Sequence, residues 1–175
     1  MNCWRLVVPP MDCPSDIIFV VDQSGSIGRQ NFAKVQSFLS QLVGRLDIDS
    51  GNTRVGVITF SSGVGSGFNL STHSSVAAVQ SAISSLTYSG GGTNTAAALA
   101  YVRMVMMTSA AGDRGKVPNA VVVLTDGQSN SQSSTRVCQQ FYDLHKRLCR
   151  FLGDCVLSQS AGCISRISLK VMNKF

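Results

Sequence analysis

Asp16-Ile17-Ile18-Phe19-Val20-Val21-Asp22-Gln23-Ser24-Gly25-Ser26 is the stretch on which the reading of this chain turns. Its five consecutive apolar residues, Ile17 to Val21, are too few for an ordinary helix and rich in β-branched types. They stop abruptly at a polar segment, so they read as a strand buried on both faces. Asp22, Ser24 and Ser26 alternate after the strand, and the bend that Gly25 permits brings one carboxylate and two hydroxyls to one side of a tight loop. Such a loop suits a small hard cation. Taken alone it is also ordinary turn chemistry.

A second apolar run, Ala120 to Thr125, opens after Pro118-Asn119 and ends in Asp126-Gly127-Gln128. Two buried strands thus run straight into aspartates. Between them, Phe32, Val35, Leu39, Leu42 and Leu46 recur at helical spacing, with Phe38 and Val43 widening the stripe. Val55 to Phe60 reads as a strand, and a glycine-rich bend followed by a short segment near Phe68 to Leu70 would make a hairpin at a sheet edge. Val76, Val79, Ala82, Ile83 and Leu86 give another helical stripe, capped near Ser74. His73, just before it, reads as an exposed or capping residue. Strands alternating with helices imply a doubly wound, mostly parallel α/β sheet of the Rossmann-like kind, in which ligands collect beyond the carboxyl ends of the strands.

A third polar loop, Ser89-Gly90-Gly91-Gly92-Thr93-Asn94-Thr95, precedes an Ala-rich helix reaching about Met107. The glycines Gly90, Gly91 and Gly92 make it tightly bent or movable. A phosphate cradle would need the lysine of the nucleotide-binding glycine loop, and none is present. Asp22, Ser24, Ser26, Thr93 and Asp126 therefore converge as a candidate metal site. Two carboxylates with several hydroxyls suit Mg²⁺, which takes oxygen ligands and keeps some water; Mn²⁺ or Ca²⁺ would also fit.

These three segments together resemble a von Willebrand factor A domain with a complete metal-ion-dependent adhesion site. The pieces are Asp-x-Ser-Gly-Ser after a strand, Gly-Gly-Thr-Asn-Thr before a helix, and Leu-Thr-Asp-Gly-Gln after another strand. The likeness spans about residues 13 to 136 and is nearest to the extracellular-matrix A domains of type VI collagen and the matrilins. It implies a mostly parallel six-stranded sheet between helices, with Ser24, Ser26 and Thr93 as direct ligands and Asp22 and Asp126 often acting through water. It also implies a non-enzymatic adhesion module that captures an acidic side chain of an extracellular-matrix protein such as a collagen.

Composition agrees with a single domain able to bury a core: 175 residues, 44% of them hydrophobic. There is no Glu, so carboxylate chemistry falls to nine aspartates. The net charge of +6 sits mostly in the basic residues after position 134, without a basic face interleaved with aromatics, which argues against nucleic acid. No segment approaches membrane-spanning length. Six cysteines, at 3, 13, 138, 149, 155 and 163, lack zinc-module spacing and suit an oxidising compartment with disulfides. Asn69-Leu70-Ser71 is a glycosylation sequon. The apolar run Leu6-Val7-Val8 is too short for a secretory signal, so an extracellular protein would make this chain a fragment.

The expected organisation is a leader over 1–14, an A domain over 15–152 and a divergent tail over 153–175. Val137, Phe141, Leu144, Leu148 and Phe151 continue a helical stripe, and Ile167, Leu169 and Val171 alternate as one strand. A sheet left incomplete by truncation, and a divergent end stapled by Cys149, Cys155 and Cys163, both fit. Two other function classes stand beside adhesion: an intracellular metal-dependent assembly subunit, favoured by the missing signal, and a Mg²⁺-dependent hydrolase, disfavoured by the lack of a general base in a motif.

Overall fold

The computed structural model describes residues 14–126 and a strand at 168–171. The expected leader, the helical stripe from Val137, all six cysteines and most of the tail lie outside the described residues.

Strand β1 (Ser15–Asp22) is central. It pairs in parallel with β2 (Thr53–Phe60) on one side and β4 (Asn119–Thr125) on the other. Strand β3 (Val64–Phe68) returns antiparallel to β2 at the sheet edge, so the expected hairpin forms, but its second strand occupies the glycine-rich stretch expected as the bend and ends at Phe68 instead of running to Leu70. Strand β5 (Ser168–Val171) pairs in parallel with β4, so β4 has a neighbour on both sides. The order is β3-β2-β1-β4-β5, a five-stranded sheet among the described residues.

Strict alternation along β1 builds two cores. Phe19 and Val21 face one layer, with Phe32, Val35, Leu39 and Val43 of helix α1 (Gly28–Val43) and Val79 and Ile83 of helix α2 (Val76–Ser84). Ile18 and Val20 face the other, with Ala98 and Leu99 of helix α3 (Thr95–Tyr101), Val102, Met106, and Val121 and Val123 of β4. Each such side chain, removed fully from water, contributes roughly 1.5–3 kcal/mol before entropy is charged against it. Helices on both faces make the fold doubly wound. Among the described residues no helix is long and apolar enough to cross a membrane.

Several local expectations shift. Phe38 is 38% exposed rather than part of the α1 stripe, and Leu46 lies beyond the helix end and is half-buried. A 16-residue helix packed on one face of a sheet buries one stripe, and position 38 turns away from it. The cap of α2 is Ser75, whose Oγ accepts the Ala78 N–H at 3.3 Å, not Ser74. His73 packs edge-on against the Phe68 ring, with centroids 4.9 Å apart, and is half-buried. The Ala-rich helix runs on past Tyr101 as a π-helical stretch, Val102–Met106.

Candidate functional site

The parallel register of β1 with β4 sets Val21 beside Leu124, so both strands release their polar ends at the same edge of the sheet. Asp22 is the last residue of β1 and is buried. Its Oδ1 accepts the Ser24 backbone N–H at 2.8 Å, a local turn that holds the carboxylate against the loop. Its Oδ2 accepts the Thr125 hydroxyl at 2.7 Å. Ser24 is buried, Ser26 is exposed, and their hydroxyl oxygens lie 3.1 Å apart. Alternation in the sequence thus places two hydroxyls side by side above a carboxylate.

The glycine loop is tied to this one by backbone bonds. Gly25 N–H donates to Gly91 O at 2.8 Å, and Gly90 N–H donates to Gln23 O at 3.1 Å. Gly90 and Gly91 have φ of 71° and 99°, which only glycine adopts readily, whereas Gly25 and Gly92 do not enter that region. A Cβ at Gly25 would lie 3.4 Å from Gly91 O, an ordinary van der Waals contact. Thr93 follows the loop and is buried. The next residue, Asn94, caps α3 through Oδ1 to Ala97 N–H at 3.1 Å.

Asp126 leaves β4 one residue after Thr125. Its Oδ1 is buried and has no hydrogen-bond partner among the described residues. A carboxylate oxygen withdrawn from water without a partner is costly, and native structures rarely keep one unless water or an ion meets it. No three His, Cys, Asp or Glu side chains gather anywhere among the described residues. The donor set here is two carboxylates among hydroxyls, suited to a hard cation rather than to zinc-module chemistry.

Other residues support the loops and escaped the reading of the sequence. Ser61 and Ser62 follow β2 at the same end of the sheet: Ser62 Oγ accepts Gly92 N–H at 2.9 Å, and Ser61 O accepts Asn94 N–H at 2.6 Å. Their signal was available as a serine pair directly after a buried strand. Tyr88 donates its hydroxyl to Ser24 O at 3.2 Å, and nothing local in the sequence announces that contact. Asn69, of the glycosylation sequon, lies just after β3 and is half-buried.

A doubly wound α/β domain with polar loops gathered at the carboxyl ends of its parallel strands is the class this geometry defines. The chain belongs to the von Willebrand factor type A domain family, whose model matches residues 16–146. Among curated relatives it is 43% identical over 121 residues to the collagen alpha-4(VI) chain of Mus musculus, covering 68% of this chain and 5% of that one. It is 36% identical over 155 residues to von Willebrand factor A domain-containing protein 2 of Mus musculus (89% and 18%). Matrilin-1 of Gallus gallus is 35% identical over 118 residues (66% and 24%). The chain therefore spans a quarter or less of the length of these relatives. Proximal thread matrix protein 1 from the mussel byssus superposes with a TM-score of 0.70 at 25% identity, over 77% of this chain and 36% of that one. In that structure the MIDAS motif, the metal-ion-dependent adhesion site, is occupied by zinc.

Proposed function

We propose that this chain is a non-enzymatic, divalent-metal-dependent binding module of an extracellular-matrix or cell-surface protein. Asp22, Ser24, Ser26, Thr93 and Asp126 would hold the cation, Mg²⁺ in the first place, with Mn²⁺ or Ca²⁺ as substitutes. The bound cation supplies an electrophilic position that an acidic side chain of a matrix protein, such as a collagen, completes.

The observation that carries this reading is the buried Asp126 Oδ1, without a hydrogen-bond partner among the described residues, at the edge where the Asp22 carboxylate and the Ser24–Ser26 hydroxyl pair also lie. Asp22 supports it in a different way. Both of its oxygens already accept one hydrogen bond, which leaves lone pairs for a metal-bound water more readily than for a direct bond. The resemblance to matrix proteins of the collagen and matrilin kinds supports an extracellular setting. Binding rather than catalysis is favoured by the position of the one described histidine. His73 packs on Phe68, after the end of β3 that lies away from Asp22 and Asp126.

Thermal unfolding with increasing Mg²⁺ tests the site. At about 100 times Kd the wild type should gain roughly 2.7 kcal/mol. Ser26→Ala should lose most of that gain while folding normally, because Ser26 is exposed; Asp22→Ala would also strip two hydrogen bonds from the core and is the poorer control. A folded wild type indifferent to Mg²⁺, Mn²⁺ and Ca²⁺ would end the metal reading. Retention on immobilised type VI collagen in Mg²⁺, released by EDTA, would extend the result to adhesion.

A further inference from the structure

Arg29 breaks a local rule at the rim of the site. It lies in the first turn of α1, where the positive partial charge of the helix start disfavours a cation, and no acidic residue in that turn offsets it. The helix also begins without a side-chain cap. A basic residue in this position does nothing for the helix.

The structure nevertheless holds Arg29 in place. Its guanidinium carbon sits 5.4 Å from the centroid of the Tyr88 ring. That ring is half-buried, packs against Phe32 with centroids 5.8 Å apart, and donates its hydroxyl to Ser24 O at 3.2 Å. The guanidinium is therefore separated from the Asp22–Ser26 loop by a single tyrosine ring whose other end buttresses that loop. A cation–π contact of this kind uses no N–H donor, so the guanidinium keeps its N–H groups for planar, bidentate contact with a carboxylate. Arg29 is exposed, and its N–H groups form no hydrogen bond or ion pair among the described residues.

Charge balance gives this placement a use. Asp22 and Asp126 would formally neutralise a divalent cation held by the site, so the loaded site would exert little long-range pull on an acidic partner. Charged groups at the starts of the parallel strands and in the loops before them lie at the opposite end of the sheet. Asp16 and Arg54 begin β1 and β2, Asp47 and Asp49 precede β2, and Asp113, Arg114 and Lys116 precede β4. Among the described residues, Arg29 would make the rim of the loaded site net positive.

We propose that Arg29 is a specificity-determining second anchor, so that the preferred partner segment presents two neighbouring acidic side chains, one for the metal position and one for the Arg29 guanidinium. This rests on the reading of the site as a metal-dependent acid-capturing one. Tyr88 sets the position of the guanidinium, and through Ser24 it ties that position to the metal loop.

The test uses synthetic peptides carrying one glutamate, or a second glutamate one, two or three positions away, measured by fluorescence anisotropy against the full chain in Mg²⁺. In wild type a second glutamate at one of these spacings should tighten binding at least fivefold. Arg29→Ala should erase that advantage while still binding the single-glutamate peptide, and Arg29→Lys should recover only part of it. The Mg²⁺-induced thermal shift should be unchanged in both variants. Their metal-free melting temperature should also stay close to wild type, because the lost ring contact and the relieved helix-start conflict are of similar size. Equal binding of single- and double-glutamate peptides by wild type would overturn the inference and leave the metal reading intact. Absence of any thermal response to metal, or of any peptide binding, would overturn the proposed function and this inference with it.

Discussion

Thr125 and Asp22 stand 103 positions apart in the chain and are joined side chain to side chain by a 2.7 Å hydrogen bond, with the hydroxyl donating to Oδ2. The bond crosses from β4 to β1 at the edge where both strands turn into the candidate site. It fixes the rotamer of the carboxylate while the Ser24 N–H holds its other oxygen. Thr125→Val keeps shape and β-branching but leaves a buried carboxylate oxygen without its donor. Hydrogen bonds to charged groups contribute about 1.5–3 kcal/mol, so urea denaturation should report a loss in that range. Outer partners of metal ligands commonly govern affinity by about 10–100-fold; the Mg²⁺ midpoint should rise by at least tenfold. An unchanged Mg²⁺ midpoint would show that Thr125 does not orient Asp22 for a cation.

The contrast between Asp22 and Thr125 marks how far the sequence could be read. The aspartate is legible because a buried apolar run ends on it, and two such runs ending alike imply a parallel sheet with a common functional edge. Helices α1 and α2 were legible from their spacing, but both stripes ran past the helix ends, to Leu46 beyond Val43 and to Leu86 beyond Ser84, and at the start of α2 a serine pair offered two caps, Ser74 and Ser75. Thr125 and Tyr88 were not legible. Their roles depend on strand register and on a tyrosine reaching back across the sheet's edge, and neither leaves a local pattern. Phe38 misled for a related reason. Periodicity counts apolar residues around a helix, while the width of the buried stripe is set by the surface beneath it.

The β2–β3 hairpin shows a dependence on glycine that composition alone does not reveal. Gly67 pairs with Ile58, and a Cβ built on it would collide with Val57 O and lie 2.8 Å from the Ile58 Cα. Those neighbours are backbone and cannot swing aside, so Gly67→Ala must push β3 off β2. Overpacking of this kind costs typically 1–3 kcal/mol and occasionally more; a loss of at least about 2 kcal/mol is expected. Gly63, in the bend of the same hairpin, has nothing within 4 Å of its added Cβ and an ordinary φ. Gly63→Ala should stay within about 0.5 kcal/mol of wild type. Equal effects of the two substitutions in parallel denaturation curves would mean that β3 does not dock as closely as this geometry requires.

At the end of the sheet opposite the candidate site, Arg114 fastens the start of β1. Its Nε and Nη2 donate to Asp16 Oδ1 at 2.9 and 2.7 Å, and its backbone N–H donates to Asp16 Oδ2 at 2.9 Å. Nη2 also reaches Ser15 O and Asn52 O, and Nη1 reaches Gly51 O. The Asp16 side chain is fully buried, whereas that of Arg114 is 21% exposed. Removing one partner of a buried pair costs about 3–5 kcal/mol, because the other charge is stranded. Arg114→Leu should fall at the lower end, about 3 kcal/mol, since the backbone N–H still serves Asp16. Arg114→Lys restores the charge but not the planar fork that meets the carboxylate and three carbonyls together, so it should recover only part of the loss. Both variants should keep the wild-type Mg²⁺ midpoint, because the clasp and the proposed metal loop lie at opposite ends of β1. A loss below about 1 kcal/mol for Arg114→Leu would place the pair among solvent-screened surface bridges, and a shifted Mg²⁺ midpoint would show that strain at one end of β1 reaches Asp22 at the other.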